Sequence, residues 1–228
     1  MRIDVAFTPA EEGRAELGVV VDVMRATSTI AQALDAGYER VLCCAEVDDA
    51  RRLKGEVGDA ILAGERSAVR IEGFDAGASP REFLEPLAPT LIMSTTNGTR
   101  TILEAVARCE EVVLGSLLNL SSVATVVRAR GAAAVVLCAG FQGAFAIDDA
   151  YCAGRIVRAL DGATLTDAAI ASGVIADRYE RPIDGINART YGPPGLEADI
   201  EWCSQVDTVT TVPRFSRMVG PAAEIVAT

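Results

Sequence analysis

The sequence contains no histidine, and this absence excludes several kinds of catalytic site. Without an imidazole there is no Ser-His-Asp triad, no phosphohistidine intermediate and no zinc or iron held by histidine. Acid–base chemistry must use Asp, Glu, Lys, Tyr, Cys or water bound to a metal. Any metal should be a hard ion held by oxygen atoms, and Mg²⁺ is then the default expectation.

Positive charge, aromatic side chains and long apolar runs are also scarce. The formal net charge of −11 makes nucleic acids and anionic membranes poor partners. Aromatic residues make up 5% of a chain that is 50% hydrophobic, so the core must consist mainly of Val, Ala, Leu and Ile, which suits parallel strands covered by helices. The longest apolar run, about residues 132–141, is too short to cross a bilayer.

Two further features concern the cellular compartment. The first residues carry acidic side chains and lack the apolar core of a signal peptide. The 6 cysteines show no CxxC spacing and lie mostly in apolar stretches, so we expect buried, reduced thiols. The sequence therefore predicts a cytoplasmic protein.

Two segments offset by 72 positions resemble each other. In residues 20–30 and again in residues 92–102, an apolar strand leads into a cluster of hydroxyl groups with one arginine, and a helix then begins. The identical pairs are Thr27/Thr99, Thr29/Thr101, Ile30/Ile102, Ala33/Ala105, Glu39/Glu111, Val41/Val113 and Leu42/Leu114. A strand end that feeds hydroxyl and main-chain N–H groups into a helix N-terminus is suited to bind an anion. Two such turns indicate a small substrate with more than one negative group.

Short runs of β-branched residues alternate with segments of helical period along most of the chain. This alternation predicts an α/β fold of three layers, α/β/α, around a mostly parallel sheet. We expect a single domain over residues 1–228 that contains an internal repeat, with two similar halves at about residues 18–64 and 90–140. Residues 64–89 are predicted to be irregular, and Asp207–Val212 to form a last strand.

Asp22 follows the apolar run of the first copy, at the expected carboxyl end of a parallel strand. Open α/β sheets bind ligands at this edge, and an Asp there can hold Mg²⁺ or attack phosphorus. The alternative is a structural role as the N-terminal cap of the next helix. Arg25, which follows closely, favours function, because a carboxylate and a guanidinium can together hold a metal and a phosphate.

The second copy opens its helix with a polar run. Its members are Thr95, Thr96, Asn97, Gly98, Thr99 and Arg100. A single capping residue is enough to start a helix, and glycine admits main-chain conformations that other residues avoid. A run this polar after an apolar strand therefore favours ligand binding over a capped helix with a solvated arginine.

The irregular segment after the fourth predicted strand also carries charged candidates. They are Glu65, Arg66, Arg70, Asp75 and Ser79, the last of which precedes a proline that can open a helix. An exposed charged loop is the alternative explanation. Further along, Asp148 and Asp149 open a helix, and the helix dipole explains one acidic residue there more easily than two.

These motifs, in this order, resemble the 2-phosphosulfolactate phosphatase family. The matching segments are residues 21–30, Gly64-Glu65-Arg66, Gly73-Phe74-Asp75 with Ser79-Pro80, residues 95–100, Asp149 with Cys152-Ala153-Gly154, and Asp199-Ile200-Glu201-Trp202-Cys203 with Val212-Pro213. The resemblance covers nearly the whole chain. It implies an α/β fold with two similar, intertwined halves and Mg²⁺-dependent hydrolysis of 2-phospho-3-sulfolactate to sulfolactate and phosphate, a reaction that in some organisms belongs to coenzyme M synthesis.

The resemblance also implies roles for the candidate residues. Asp22, with Glu65, Asp149 or Asp75, would hold the metal. Arg25, Arg66 and Arg100 would neutralise phosphate and sulfonate oxygens. The remaining substrate-binding candidates are Thr27, Ser28, Thr29, Arg70, Ser79, Thr95, Thr96, Asn97, Gly98 and Thr99. The nucleophile is either Asp22 or a water molecule, and the expected partner is a small anionic phosphoester, with a homodimer as a possible assembly.

Three departures from the family pattern keep other functions open. Ala78 stands where Asn is usual, Phe141-Gln142 replaces more polar residues, and Asn187–Gly195 lacks a Ser-rich and Arg-rich turn. One alternative is a non-catalytic protein that binds anions and regulates another process. Another is a phosphatase for a different carboxylated or sugar phosphoester.

Overall fold

Eleven strands alternate with helices along the described residues. The computed structural model describes residues 1–11, 13–190 and 192–228. The strands are β1 Arg2–Ala6, β2 Leu17–Val21, β3 Arg40–Cys43, β4 Ala60–Arg66, β5 Val69–Arg70, β6 Thr90–Ser94, β7 Glu111–Gly115, β8 Ala134–Cys138, β9 Thr164–Leu165, β10 Pro213–Val219 and β11 Ala222–Ala227. The α-helices are α1 Ala26–Asp35, α2 Val47–Val57, α3 Gly98–Arg108, α4 Leu120–Arg130, α5 Ile147–Arg158, α6 Asp167–Arg178, α7 Pro182–Ile186 and α8 Glu197–Cys203, with a short 3₁₀ helix at Pro80–Glu82.

One mostly parallel sheet contains all of these strands, in the order β5-β4-β6-β3-β11-β10-β7-β2-β8-β1-β9. Strand β2 lies between β7 and β8, and β6 lies between β3 and β4, so the first strand of each similar segment is inserted into the other segment. The registers correspond as well. Val19 pairs with Val113 in one half, and Leu91 and Val41, the residues equivalent to these under the offset of 72 positions, pair with each other. The halves interlock, while the duplication itself stays a prediction from the sequence.

Helices cover both faces of the sheet, which confirms the predicted three-layer α/β/α architecture. Because side chains alternate along a strand, Val20 and Leu114 pack with helices α1 and α3 on one face. Val19 and Val113 point to the opposite face, where helices α4 and α5 contribute to the core. Farther along the sheet, α2 covers the same side as α4 and packs on Leu42. Among the described residues, no helix has both the length and the hydrophobicity needed to span a membrane.

The predicted last strand at Asp207–Val212 is wrong. The chain there is irregular and packs against Leu118 through a main-chain hydrogen bond from Val209 N–H. The strand begins one residue later, at Pro213, where the missing N–H of proline costs little. Strands β10 and β11 then form an antiparallel hairpin that fills the middle of the sheet between β3 and β7. Helices α6 and α7 were not predicted.

Candidate active site

The two similar turns meet at a cavity of about 300 Å³. The turns follow β2 and β6, and the end of β4 completes the polar wall. Of the predicted site residues, Asp22, Arg25, Glu65, Thr95, Thr96 and Asn97 line this cavity. The sheet therefore brings together carboxylate, guanidinium and hydroxyl groups from three strand ends.

Helices α1 and α3 begin in contact with each other at this cavity. A Cβ atom added to Gly98, the first residue of α3, would lie 2.5 Å from the Cβ of Ala26, the first residue of α1. It would also lie 2.5 Å from Asp22 Oδ2. Only glycine allows this approach. Since the N-terminus of a helix carries partial positive charge and unpaired N–H groups, two such ends favour an anion in the cavity.

Asp22 directly follows β2 and is buried, with 7% of its surface exposed. Its Oδ1 accepts a hydrogen bond of 3.3 Å from Ala26 N–H, while its Oδ2 has no hydrogen-bond donor among the described residues. Burial is the main reason that the pKa of Asp22 is raised from 3.8 to about 7. The carboxylates of Glu65 and Asp148 raise this pKa further. A cation or a proton donor in the cavity would relieve this concentration of negative charge.

Glu65 links the end of β4 to the turn that follows β6. Its Oε1 accepts a hydrogen bond of 2.7 Å from Thr96 N–H, and its Oε2 accepts one of 2.6 Å from Ala68 N–H. The Thr96 hydroxyl also donates to Oε2 at 3.1 Å. Glu65 therefore fixes the polar turn after β6 and still lines the cavity.

Arg25 precedes α1 and is held in position by an ion pair. Its Nη1 donates to Asp199 Oδ2 of α8 at 2.6 Å, and its Nη2 donates to Ala68 O at 3.3 Å. The other oxygen of Asp199 accepts a hydrogen bond of 2.5 Å from Ser79 Oγ. Ser79 thus supports Asp199 and does not line the cavity.

The hydroxyl groups that follow Asp22 bind the main chain and build the turn. Thr27 Oγ1 donates to Asp22 O at 2.9 Å and Ser28 Oγ donates to Val23 O at 2.9 Å. Thr29 Oγ1 donates to Ala78 O at 2.8 Å. In the second copy, Thr99 Oγ1 donates to Thr95 O at 3.1 Å. These side chains are buried and do not line the cavity, so they support the conformation of the turns and do not contact a ligand there.

Three predicted arginines have their guanidinium groups elsewhere. Arg66 donates to Ala45 O at 3.0 Å and to Ser94 Oγ at 2.9 Å, which links the end of β4 to β6 and to the segment after β3. Arg100 forms an exposed ion pair of 2.6 Å with Glu46. Arg70 is exposed and its only hydrogen bond within the described residues is a long one of 3.5 Å to Asp75 O. None of the three lines the cavity at Asp22.

Two predicted metal ligands also lie outside the cavity wall. Asp149 accepts hydrogen bonds from Val23 N–H at 2.9 Å and from Gly140 N–H at 3.0 Å. Burial, followed by the charges of Asp148 and Asp22, raises its pKa well above the ordinary value. Through the hydrogen bond from Val23 N–H, Asp149 holds the turn after β2 in place. Asp75 is half exposed and accepts a 2.8 Å hydrogen bond from Leu62 N–H.

The donor set of the cavity is small but suits Mg²⁺. The described residues contain no group of three or more Asp, Glu, Cys or His side chains placed to hold a metal. Mg²⁺, however, is commonly held by one or two carboxylates together with water and the phosphate of a substrate. Asp22, with its unbonded Oδ2, and Glu65 provide such a pair.

The remaining wall was not predicted from the sequence. It includes Arg189, Pro193 and Leu196 from the connection between α7 and α8, together with Phe141 and Gln142. The sequence signal was the unusual composition of residues 187–195, in which Tyr191 lies outside the described residues. Proximity to Asp22 in space could not be inferred from a position so far along the chain.

The comparisons with known proteins agree with the resemblance seen in the sequence. The family model described as 2-phosphosulpholactate phosphatase matches residues 6–217. A protein of Clostridium acetobutylicum named "Probable 2-phosphosulfolactate phosphatase" is 36% identical over 232 residues, which span 95% of this chain and 98% of the relative. A protein of the same name from Caldanaerobacter subterraneus is 38% identical, with 86% of each chain covered. One from Gloeobacter violaceus is 36% identical over 94% of this chain and 95% of its own length.

Proposed function

The chain belongs to the 2-phosphosulpholactate phosphatase family of phosphoric monoester hydrolases, and we propose that it hydrolyses 2-phospho-3-sulfolactate to 3-sulfolactate and phosphate with Mg²⁺ as cofactor. The observation that carries this proposal is the meeting of Asp22, Arg25 and two helix N-termini at one cavity. Phosphoryl transfer requires mainly positioning and charge neutralisation, and these groups provide both.

Arg25 and the helix ends would bind the phosphoryl group. A guanidinium stabilises the oxygen atoms on which negative charge is spread in the transition state, and the ion pair with Asp199 holds this guanidinium in place. The N–H groups at the starts of α1 and α3 add donors that need no reorganisation during the reaction. In the hydrolysis, a water oxygen joins phosphorus as the bond from phosphorus to the ester oxygen breaks.

Asp22 and Glu65 would hold the metal. When bound, Mg²⁺ supplies positive charge to the phosphate oxygens. Asp22 also sets the position of the phosphoryl group, because its carboxylate lies against the first residues of both helices. The lack of histidine is no obstacle, since the leaving oxygen of the ester can be protonated from solvent.

Release of inorganic phosphate from 2-phospho-3-sulfolactate tests this proposal. We expect release with Mg²⁺ that stops when EDTA is added and returns when Mg²⁺ is restored. Glucose 6-phosphate, which has no second acidic group, should be a poor substrate. Failure to release phosphate from 2-phospho-3-sulfolactate at any Mg²⁺ concentration would contradict the proposed reaction, and full activity in EDTA would contradict the metal.

A further inference from the structure

Arg189 is the second cation that lines the cavity, besides Arg25, among the described residues. Two guanidinium groups line the cavity within the described ranges, those of Arg25 and Arg189. Arg25 is paired with Asp199, whose side chain is 7% exposed. Arg189 makes no hydrogen bond or ion pair with any described residue. Its positive charge is therefore available to a ligand.

The position of Arg189 is set by a short, anchored helix. Helix α7 ends at Ile186, which is fully buried, and its Gly185 packs directly on Tyr151, where an added Cβ would lie 2.6 Å from the ring. Main-chain hydrogen bonds continue as far as Ala188, whose N–H donates to Gly185 O at 3.4 Å. The main chain just before Arg189 is thus fixed relative to the core.

Gly192 lies close to the guanidinium of Arg189. Gly192 has a φ of 92°, in the region that favours glycine, and a Cβ added there would lie 3.3 Å from Arg189 Nη1. Pro193 and Leu196 continue along the cavity wall. Arg189 is itself partly buried, and a charge that is partly removed from water attracts an anion more strongly than a fully solvated one.

We propose that Arg189 determines specificity by binding a second anionic group of the substrate, a sulfonate or a carboxylate, while the phosphate lies at Asp22 and Arg25. This inference rests on the proposed function and adds to it the residue that distinguishes a multiply charged phosphoester from a simple one. Guanidinium forms paired hydrogen bonds with either oxyanion. The two halves of the site then differ in origin, because the phosphate end comes from the repeated turns and the second end from the connection between α7 and α8.

Three substrates distinguish whether Arg189 binds the sulfonate or the carboxylate. They are 2-phospho-3-sulfolactate, 2-phospholactate, which lacks the sulfonate, and 1-sulfopropan-2-yl phosphate, which lacks the carboxylate. Arg189→Gln should lower kcat/KM for the complete substrate by about 10- to 100-fold, as expected for a lost hydrogen bond to a charged group. For the substrate that lacks the group bound by Arg189, the variant and the parent should be equal. Equal losses on all three substrates, or no loss, would overturn the proposal.

Three further variants sharpen the assignment. Arg189→Lys keeps the charge and should recover part of the loss. Gly192→Ala displaces the guanidinium without removing it and should raise KM for the complete substrate more than it lowers kcat. Arg181→Gln is the matched control, since Arg181 is exposed, lies outside the cavity and pairs with Asp184, and it should behave as the parent does.

Binding of 3-sulfolactate by calorimetry gives a readout that does not depend on turnover. The parent should bind this product more tightly than Arg189→Gln. If no phosphoester is hydrolysed, the proposed function fails, yet binding that weakens in Arg189→Gln still supports the anion site. If hydrolysis occurs and product binding is unchanged in Arg189→Gln, the anion site is wrong and the proposed function stands.

Discussion

Asp199 of α8 accepts a 2.6 Å hydrogen bond from the guanidinium of Arg25, which lies 174 positions earlier in the chain. Both side chains are largely buried, and the second oxygen of Asp199 is held by Ser79. A carboxylate near the end of the chain therefore sets the direction of an arginine at the start of α1. This contact makes the position of Arg25 in the turn after β2 dependent on the correct packing of α8.

We expect Asp199→Asn to lower kcat/KM about 10- to 100-fold. The guanidinium of Arg25 stays in the cavity, but it loses the carboxylate that holds it in position. Arg25→Met should cost more. The double variant should lose no more activity than Arg25→Met alone, since Asp199 acts through Arg25. Steady-state kinetics of the four proteins measures this. Additive losses would show that Asp199 acts independently, and Asp184→Asn, in an exposed ion pair, serves as the control.

Replacing Asp22 by Asn should separate activity from stability. We expect phosphatase activity to fall by about three orders of magnitude, because the carboxylate that is proposed to hold the metal and to position the phosphoryl group is lost. In EDTA at pH 8 the variant should be more stable than the parent by about 1 kcal/mol or more, since burial raises the pKa of Asp22 to about 7 and ionisation in the folded state is unfavourable.

The difference in stability between the parent and Asp22→Asn should depend on pH. Below the ordinary pKa of 3.8 the carboxyl group of Asp22 is protonated in both the folded and the unfolded chain, so the two proteins should be equally stable. The parent should lose stability relative to Asp22→Asn as the pH rises from there to about 7. Denaturant unfolding at several pH values measures the difference. A variant that is less stable at every pH would favour a purely structural capping role for Asp22.

Gly98→Ala should disturb the contact between the starts of α1 and α3. The added Cβ would lie 2.5 Å from Asp22 Oδ2 and from Ala26 Cβ, so the two helix ends must separate. We expect a loss of about 1 to 3 kcal/mol in the free energy of unfolding and at least a tenfold loss in kcat/KM. Gly55→Ala is the control, because a Cβ at Gly55 in α2 meets no atom within 4 Å. It should keep full activity and at least the parent stability.

Glu224 in β11 should contribute to acid unfolding. Burial alone would raise its pKa, but hydrogen bonds from Arg217 at 2.9 Å and Arg40 at 3.0 Å outweigh burial and hold the pKa below the ordinary value of 4.5. This stabilisation is present above pH 4.5 and is lost as the pH falls through the lowered pKa. Glu224→Gln should cost about 1 to 3 kcal/mol at pH 7.

Measuring both proteins at low pH provides the control for this prediction. The difference in unfolding free energy between the parent and Glu224→Gln should shrink steadily below pH 4.5, because the parent side chain then becomes neutral. A difference that stays constant down to pH 2 would mean that the two ion pairs do not stabilise the sheet.

Much of the sheet could be predicted from the sequence because buried parallel strands are continuous apolar runs. Strands β2 and β6, and the helices α1 and α3 that follow them, lie in the two similar segments where the residue pattern predicts them. The hairpin of β10 and β11 could not be located, since an antiparallel pair inserted at the centre of a parallel sheet has no local signature. Its neighbours β3 and β7 are distant in the chain.

The candidate site was predicted in part. Asp22, Arg25 and Glu65 lie at the cavity because they follow strand ends, and parallel strands bring their carboxyl ends to one edge. Arg66 and Arg100 were predicted to belong to the site for the same reason, because polar or charged candidates lie beside them in the sequence. Their guanidinium groups bind Ser94 and Glu46 instead, because the direction of a long side chain depends on the nearest acceptor in three dimensions.

The sequence alone determined the class of chemistry, through the missing histidine, the family motifs and the pattern of strands and polar turns. These properties are local, so they can be recognised without knowing the fold. The tertiary structure decided which polar groups face the cavity, that Asp199 orients Arg25, and that Arg189 joins the site from the far end of the chain. Such contacts result from packing across the sheet, and distances between residues remote in sequence exist only once the chain has folded.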